Sequence, residues 1–107
     1  MNTTLLSQAL AQLPLIAILR GLTPTEAPTI GQALVDSGFV IIEVPLNSPD
    51  PLASIRALTD KFPQTLIGAG TVLNTAQVQQ VHAAGGRLIV APNFQPAVVA
   101  ASRGNNE

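Results

Sequence analysis

Four apolar runs in this sequence each end on or beside a side chain capable of chemistry. They are Leu15–Leu19 before Arg20, Phe39–Ile42 before Glu43, Leu66–Gly70 before Thr71, and Leu88–Ala91 before Asn93. Glu43 is the most telling of these. A carboxylate set inside Phe39-Val40-Ile41-Ile42 and Val44-Pro45 is costly to bury in its charged form. Such a site raises the acid's pKa and suits it to general acid–base work. Arg20, just before Gly21, offers a planar fork for a carboxylate or phosphate. The same two residues also admit a structural arrangement, an Arg20–Glu43 pair across neighbouring strands, and that pair could both hold and tune the acid. Thr71 adds a hydroxyl after Gly68-Ala69-Gly70.

The other candidates read as structural. Gly68-Ala69-Gly70-Thr71 resembles a dinucleotide fingerprint only in part, because Leu73 stands where the third glycine belongs. Its glycines either let the backbone crowd a pocket or pack a narrow barrel interior. Pro92 stops the fourth run, and Asn93 suits the cap of a following helix. Asn47 and Ser48 fall in the second loop, with Ser48 placed as a helix N-cap. His82 reads as a surface histidine.

These side chains need a scaffold that brings them to one edge. Equivalent points in the four runs are Ile16, Val40, Leu66 and Leu88, separated by 24, 26 and 22 residues. A strand, a short loop and a three-turn helix fill that interval. The helix signals lie where they should. Thr23-Pro24-Thr25-Glu26 predicts a capping box, with Ala27, Ile30 and Leu34 facing inward and Gly38 as the stop. A second helix is expected from Ser48-Pro49-Asp50, burying Leu52, Ile55, Leu58 and Phe62 before Pro63. A third is expected from Asn74, with Gln77 in the capping-box position, burying Val78 and Val81 before Gly85-Gly86. A leading helix over residues 3–12 and a short one from Gln95-Pro96 complete the reading. Alternation of this kind predicts a parallel sheet with right-handed crossovers. Both an open doubly wound sheet and part of a (β/α)8 barrel satisfy it. Four units make about half of a barrel, which takes about 250 residues. The reading is therefore one partial domain over residues 1–107, with a frayed polar tail at 103–107.

Composition narrows the function classes. The chain has 107 residues, is 47% hydrophobic and 10% charged, and carries a net charge of −1. Strands buried on both faces have this character. Five basic residues and three phenylalanines leave no basic stripe and little to stack on bases, so nucleic acid is not an expected partner. Without cysteine there is neither a disulfide nor a thiolate metal site, and a single histidine rules out a histidine cluster. No apolar run approaches the roughly 18 residues of a membrane span, and the N-terminus does not read as a signal peptide. The expected location is cytoplasmic, and Asn2-Thr3-Thr4 is then a chance glycosylation match.

Four segments together carry a resemblance. They are Ile16-Ala17-Ile18-Leu19-Arg20-Gly21, Ile42-Glu43-Val44-Pro45-Leu46-Asn47-Ser48-Pro49, Ile67-Gly68-Ala69-Gly70-Thr71-Val72, and Leu88-Ile89-Val90-Ala91-Pro92-Asn93. In order and spacing they resemble the class I aldolases that cleave 2-dehydro-3-deoxy-6-phospho sugar acids, from about Leu13 to Ser102. Val44-Pro45-Leu46-Asn47-Ser48-Pro49 is similar to the 6-phosphogalactonate branch. The 6-phosphogluconate branch tends to carry Thr at Pro45 and Arg at Asn47.

The resemblance implies a (β/α)8 barrel, usually a homotrimer, that uses no metal or cofactor. In the family a lysine on the sixth strand forms a Schiff base with the substrate ketone, and cleavage of C3–C4 yields pyruvate and glyceraldehyde 3-phosphate. Glu43 matches the general acid/base. Arg20 and Thr71 match groups near the substrate carboxylate, and Pro92 matches a pocket-lining residue. The single lysine, Lys61, falls late in the second helix, where it suits the helix dipole and not the role of nucleophile. The expectation is thus the N-terminal half of such an aldolase, shortened by frameshift, gene interruption or incomplete sequencing and inactive alone. The competing expectations are a non-catalytic half-barrel that binds sugar acids or complements a second chain, and an unrelated open-sheet binding domain.

Overall fold

Runs rich in Ile, Val and Leu at a spacing of about 24 residues form four short parallel strands, and the polar-capped segments between them form helices. The structure, a computed structural model, describes residues 16–90. The expected leading helix at 3–12, Pro92, Asn93, the helix from Gln95 and the polar tail all lie outside the described residues. The strands are β1 (Ile16–Ile18), β2 (Ile41–Pro45), β3 (Leu66–Gly70) and β4 (Leu88–Ile89). The helices are α1 (Ala27–Asp36), α2 (Pro51–Lys61) and α3 (Thr75–Ala83). None of these helices is long and apolar enough to cross a membrane.

The strand order β1-β2-β3-β4, parallel throughout, decides between the two architectures left open by the sequence. A doubly wound sheet reverses its strand order and carries helices on both faces. Here the order never reverses, and one face takes all three helices. Ala17, Ile42, Val44, Ile67 and Ala69 pack with Ala27 of α1, Ile55 and Leu58 of α2, and Val78 and Val81 of α3. This is the arrangement of a barrel segment, with its helices outside. Ile41, Leu66 and Leu88 form a separate apolar cluster on the inner face. By strand alternation and register, Ile16, Ile18, Glu43, Pro45, Gly68 and Gly70 share that face. Its flanks are open: Ile16 is 45% and Ile18 52% exposed, and so is Val90 just past β4, at 42%.

Local chemistry accounts for the helix boundaries. The Glu26 carboxylate reaches back to accept from the Thr23 N–H at 2.9 Å, as the capping-box reading requires. Regular helix nevertheless begins at Ala27 and not at Pro24. Ala27 N–H bonds Thr23 O at 3.0 Å, but Pro28 has no N–H to give the Pro24 carbonyl, so the ladder is interrupted between that turn and the regular helix. At the other end Gly38, at φ +95°, lets Gly38 N–H bond Val35 O and Phe39 N–H bond Leu34 O, each at 3.0 Å. That is a Schellman closure. Gly85 and Gly86 close α3 the same way, onto His82 O and Val81 O. Asn74 caps α3 by accepting from Gln77 N–H at 2.9 Å, while the Gln77 side chain accepts from Leu73 N–H. The expected Ser48 cap is not formed: Asp50, at φ +45°, occupies the N-cap of α2 and makes no side-chain bond there.

Candidate functional site

Glu43 lies in the middle of β2, with Val44 and Pro45 continuing the strand beyond it. This corrects the sequence reading, which ended the strand at Ile42. Proline was the misleading residue. The Glu43 carbonyl points toward β1, where it accepts from Leu19 N–H at 2.9 Å. Pro45, two residues on, presents its N–H-less nitrogen to the same side, past the end of β1. No ladder bond is lost there, and Pro45 keeps its place opposite Gly70 of β3.

The Glu43 side chain is 6% exposed, and its Oε2 is buried without a hydrogen-bond partner. Burial pushes its pKa above the ordinary carboxylate value, and the Arg20 charge pulls part of the way back. Arg20 is exposed just beyond β1, whose Ile18 is in register with Glu43. The sequence expected these two to emerge from adjacent strands; β1 and β2 are neighbours in the sheet, Arg20 follows the end of β1, and its charge acts on Glu43. Since Oε2 has no partner, Arg20 acts on it through space and does not quench it as a bonded ion pair. The carboxyl therefore holds a proton more readily than a free acid does, beside a cation able to receive an anion.

Thr71 follows β3 directly and is half-buried at φ +56°. A β-branched residue in the left-handed region is strained, at a cost of about 1–3 kcal/mol. Bonds on either side hold it there: Leu46 N–H to Gly70 O at 2.9 Å and Val72 N–H to Val90 O at 3.2 Å. Backbone strain pinned at a sheet edge is a mark of functional sites.

Ser48 has a role that the sequence did not suggest. It is buried, and its hydroxyl accepts from Gly21 N–H at 3.2 Å, tying the loop after β2 to the loop after β1 beside Arg20. Asn47 and His82 are exposed, His82 in the last turn of α3. Lys61 ends α2, its ammonium 5.5 Å from the centre of the Phe62 ring. A crossover helix runs back against its strands, so Lys61 sits at the end of the sheet opposite Arg20 and Thr71. An open groove of about 350 Å³ between α2 and α3, lined by Leu52, Arg56 and Gln80, belongs to the helix layer.

The sequence pattern described as "Aldolase: KDPG and KHG aldolase" matches residues 6–106. The chain belongs to this aldolase family. It is 56% identical over 94 residues to the probable 2-dehydro-3-deoxy-6-phosphogalactonate aldolase of Rhizobium meliloti (strain 1021), a match over 85% of this chain and 44% of the relative. A solved structure described as native KDPGal superposes with a TM-score of 0.85 at 47% identity, covering 88% of this chain and 46% of that one. The KDPG aldolase of Legionella pneumophila, solved with pyruvate captured as a covalent carbinolamine, superposes with a TM-score of 0.79 at 31% identity, over 87% of this chain and 45% of that one. The chain spans less than half the length of these relatives. Its four-stranded sheet corresponds to part of their barrel.

Proposed function

We propose that this chain supplies the proton-transfer edge of an aldolase acting on 2-dehydro-3-deoxy-6-phosphogalactonate through a Schiff base to pyruvate, and that alone it does not turn over. The observation that carries this reading is the buried, unpartnered Glu43 carboxyl on the inner sheet face, with the Arg20 charge reaching it. In this role Glu43 moves protons during Schiff-base formation and enamine protonation. Arg20 and Thr71 meet the substrate's carboxylate end. The galactonate branch is favoured by 56% identity to the Rhizobium relative, against 31% to the Legionella KDPG aldolase. The carbinolamine in the latter supports the Schiff-base route for the family. Glyceraldehyde 3-phosphate is the second product in this reading, and the setting is a cytoplasmic homotrimer.

Lys61, the single lysine, stands far from this edge. Incubation with pyruvate and borohydride should therefore leave its mass unchanged, and a reduced adduct on Lys61 would overturn the assignment of inactivity. Binding is tested separately by an amide NMR titration with pyruvate. Shifts at Gly21 and Thr71 that disappear in Arg20→Ala are expected, and a titration that leaves both amides still counts against the site.

The open inner face, with Ile16 and Ile18 exposed, favours a second use as a half-barrel that complements another chain. Mixing with the remaining segment of the Rhizobium relative tests it. Co-elution with a pyruvate adduct on that segment supports complementation, and separate elution refutes it.

A further inference from the structure

We propose that Gly70 is a positioning residue: the side chain it lacks is the space that seats the Glu43 carboxyl on β3. The inference concerns the acid's geometry and does not depend on the reaction assigned above. Glu43 is in register with Gly68, and its side chain leans along the sheet to the level of Gly70, two residues further on. A Cβ built on Gly70 would fall on Cδ, Oε1 and Oε2 of Glu43, closer than any real Cβ approaches a non-bonded atom. Its three nearest neighbours all belong to that one carboxyl group.

The other glycines of the sheet and helices differ. A Cβ on Gly68 would strike the backbone as well as the side chain of Leu88, so Gly68 serves the approach of β3 to β4. A Cβ on Gly31 would meet the tips of Leu58 and Phe62 in the helix layer. Gly70 alone among them faces a group able to carry charge. It lies in extended strand with no positive φ, so an L-residue fits its backbone. What a side chain at 70 would displace is the carboxyl. On leaving its seat the carboxyl moves toward the open inner face, where Ile16 and Ile18 meet solvent. The two readings of Gly68-Ala69-Gly70 thus divide between its glycines, Gly68 for packing and Gly70 for the pocket.

The test is Gly70→Ala in the 107-residue chain with 13C-labelled glutamate, whose three resonances are assigned with the help of Glu43→Gln. In the parent, Glu43 should titrate above its ordinary carboxylate value, and in Gly70→Ala its midpoint should fall toward that value while Gly68→Ala leaves it elevated. An unchanged Glu43 midpoint in folded Gly70→Ala overturns the proposal. Urea unfolding of Gly70→Ala in the Glu43 and Glu43→Ala backgrounds covers the case of a poor folder. Loss confined to the Glu43 background supports the seat. Equal loss in both backgrounds makes Gly70 an ordinary packing residue and refutes it.

Discussion

Replacing Glu43 by glutamine should change how the chain's stability depends on pH. Oε2 is buried without a partner, so the folded chain holds the Glu43 proton to a higher pH than the unfolded chain, where the carboxyl has its ordinary value of 4.5. Between those two midpoints the folded state binds more protons than the unfolded one. Raising the pH through that window must therefore favour unfolding. Stability from this group is full below 4.5, and the penalty is complete above the raised midpoint. One whole proton of difference corresponds to about 1.4 kcal/mol per pH unit, the steepest slope a single acid can give. With a urea m-value of about 1–3 kcal/mol/M, that is a midpoint change of roughly 0.5–1.4 M per pH unit. Glutamine keeps the shape and cannot ionise. The midpoint of Glu43→Gln minus that of the parent should be small near pH 4.5, grow as pH rises, and then level off. Adding Arg20→Gln to the parent should extend the growth to higher pH, because the Arg20 charge restrains the shift. A difference that stays flat with pH, or grows toward acid, would refute the claim that the carboxyl is held out of water.

Three further outcomes follow from the geometry. Ile55→Ala removes a fully buried side chain between α2 and the sheet and should cost about 2–5 kcal/mol in urea unfolding. Thr71→Gly should be more stable than Thr71→Ala by about 0.5–1 kcal/mol, since glycine escapes a left-handed penalty of about 1–2 kcal/mol and returns part of it as unfolded-chain entropy; equal stability would mean that Thr71 is unstrained. Ser48→Ala leaves Gly21 N–H without its acceptor and should cost about 1 kcal/mol, with faster hydrogen exchange at Gly21 and little change in α2.

What could be read from the residues was local or periodic. Leu66–Gly70 is a strand at the predicted boundaries, because Thr71 ends it with a left-handed turn. The inward residues Ile55, Leu58, Val78 and Val81 follow from helical spacing, and the glycine stops at 38 and 85 follow from their positive φ. Adjacency of β1 and β2, the strands that lead to Arg20 and carry Glu43, was legible because parallel βα units usually neighbour in order. The failures were non-local. Ser48 fits a cap by type and position, yet its hydroxyl is taken by an amide 27 residues away. Pro45 looks like a strand end until it is known where β1 stops. Gly70 gains its meaning from the carboxyl across the sheet, and register of that kind is invisible along a single strand.

The sequential order of the strands also explains how so charge-poor a chain buries a carboxyl on its inner face. Every second residue of each strand faces inward, and past Leu66 the inward positions of β3 are both glycine. Leu88 fills the space at Gly68, so the missing side chain of Gly70 alone leaves a seat beside β2, and the carboxyl of Glu43 lies over it. The neighbours of Glu43 along the strand and in register are Ile18, Ile41 and Pro45. The proton affinity of this one carboxyl is raised by its burial, and the Arg20 charge trims it. The amine of Schiff-base chemistry is a separate requirement. Lys61 is tethered at the far end of α2 over Phe62, so among the described residues no lysine stands beside Glu43. An amine engineered there should consequently react. An Ile18→Lys variant sits one strand from Glu43 on the same face, and pyruvate with borohydride should label it while leaving Lys61 unmodified. Labelling of Lys61 instead, or of neither lysine in a folded variant, would show that the inner face does not gather these groups into one reactive cleft.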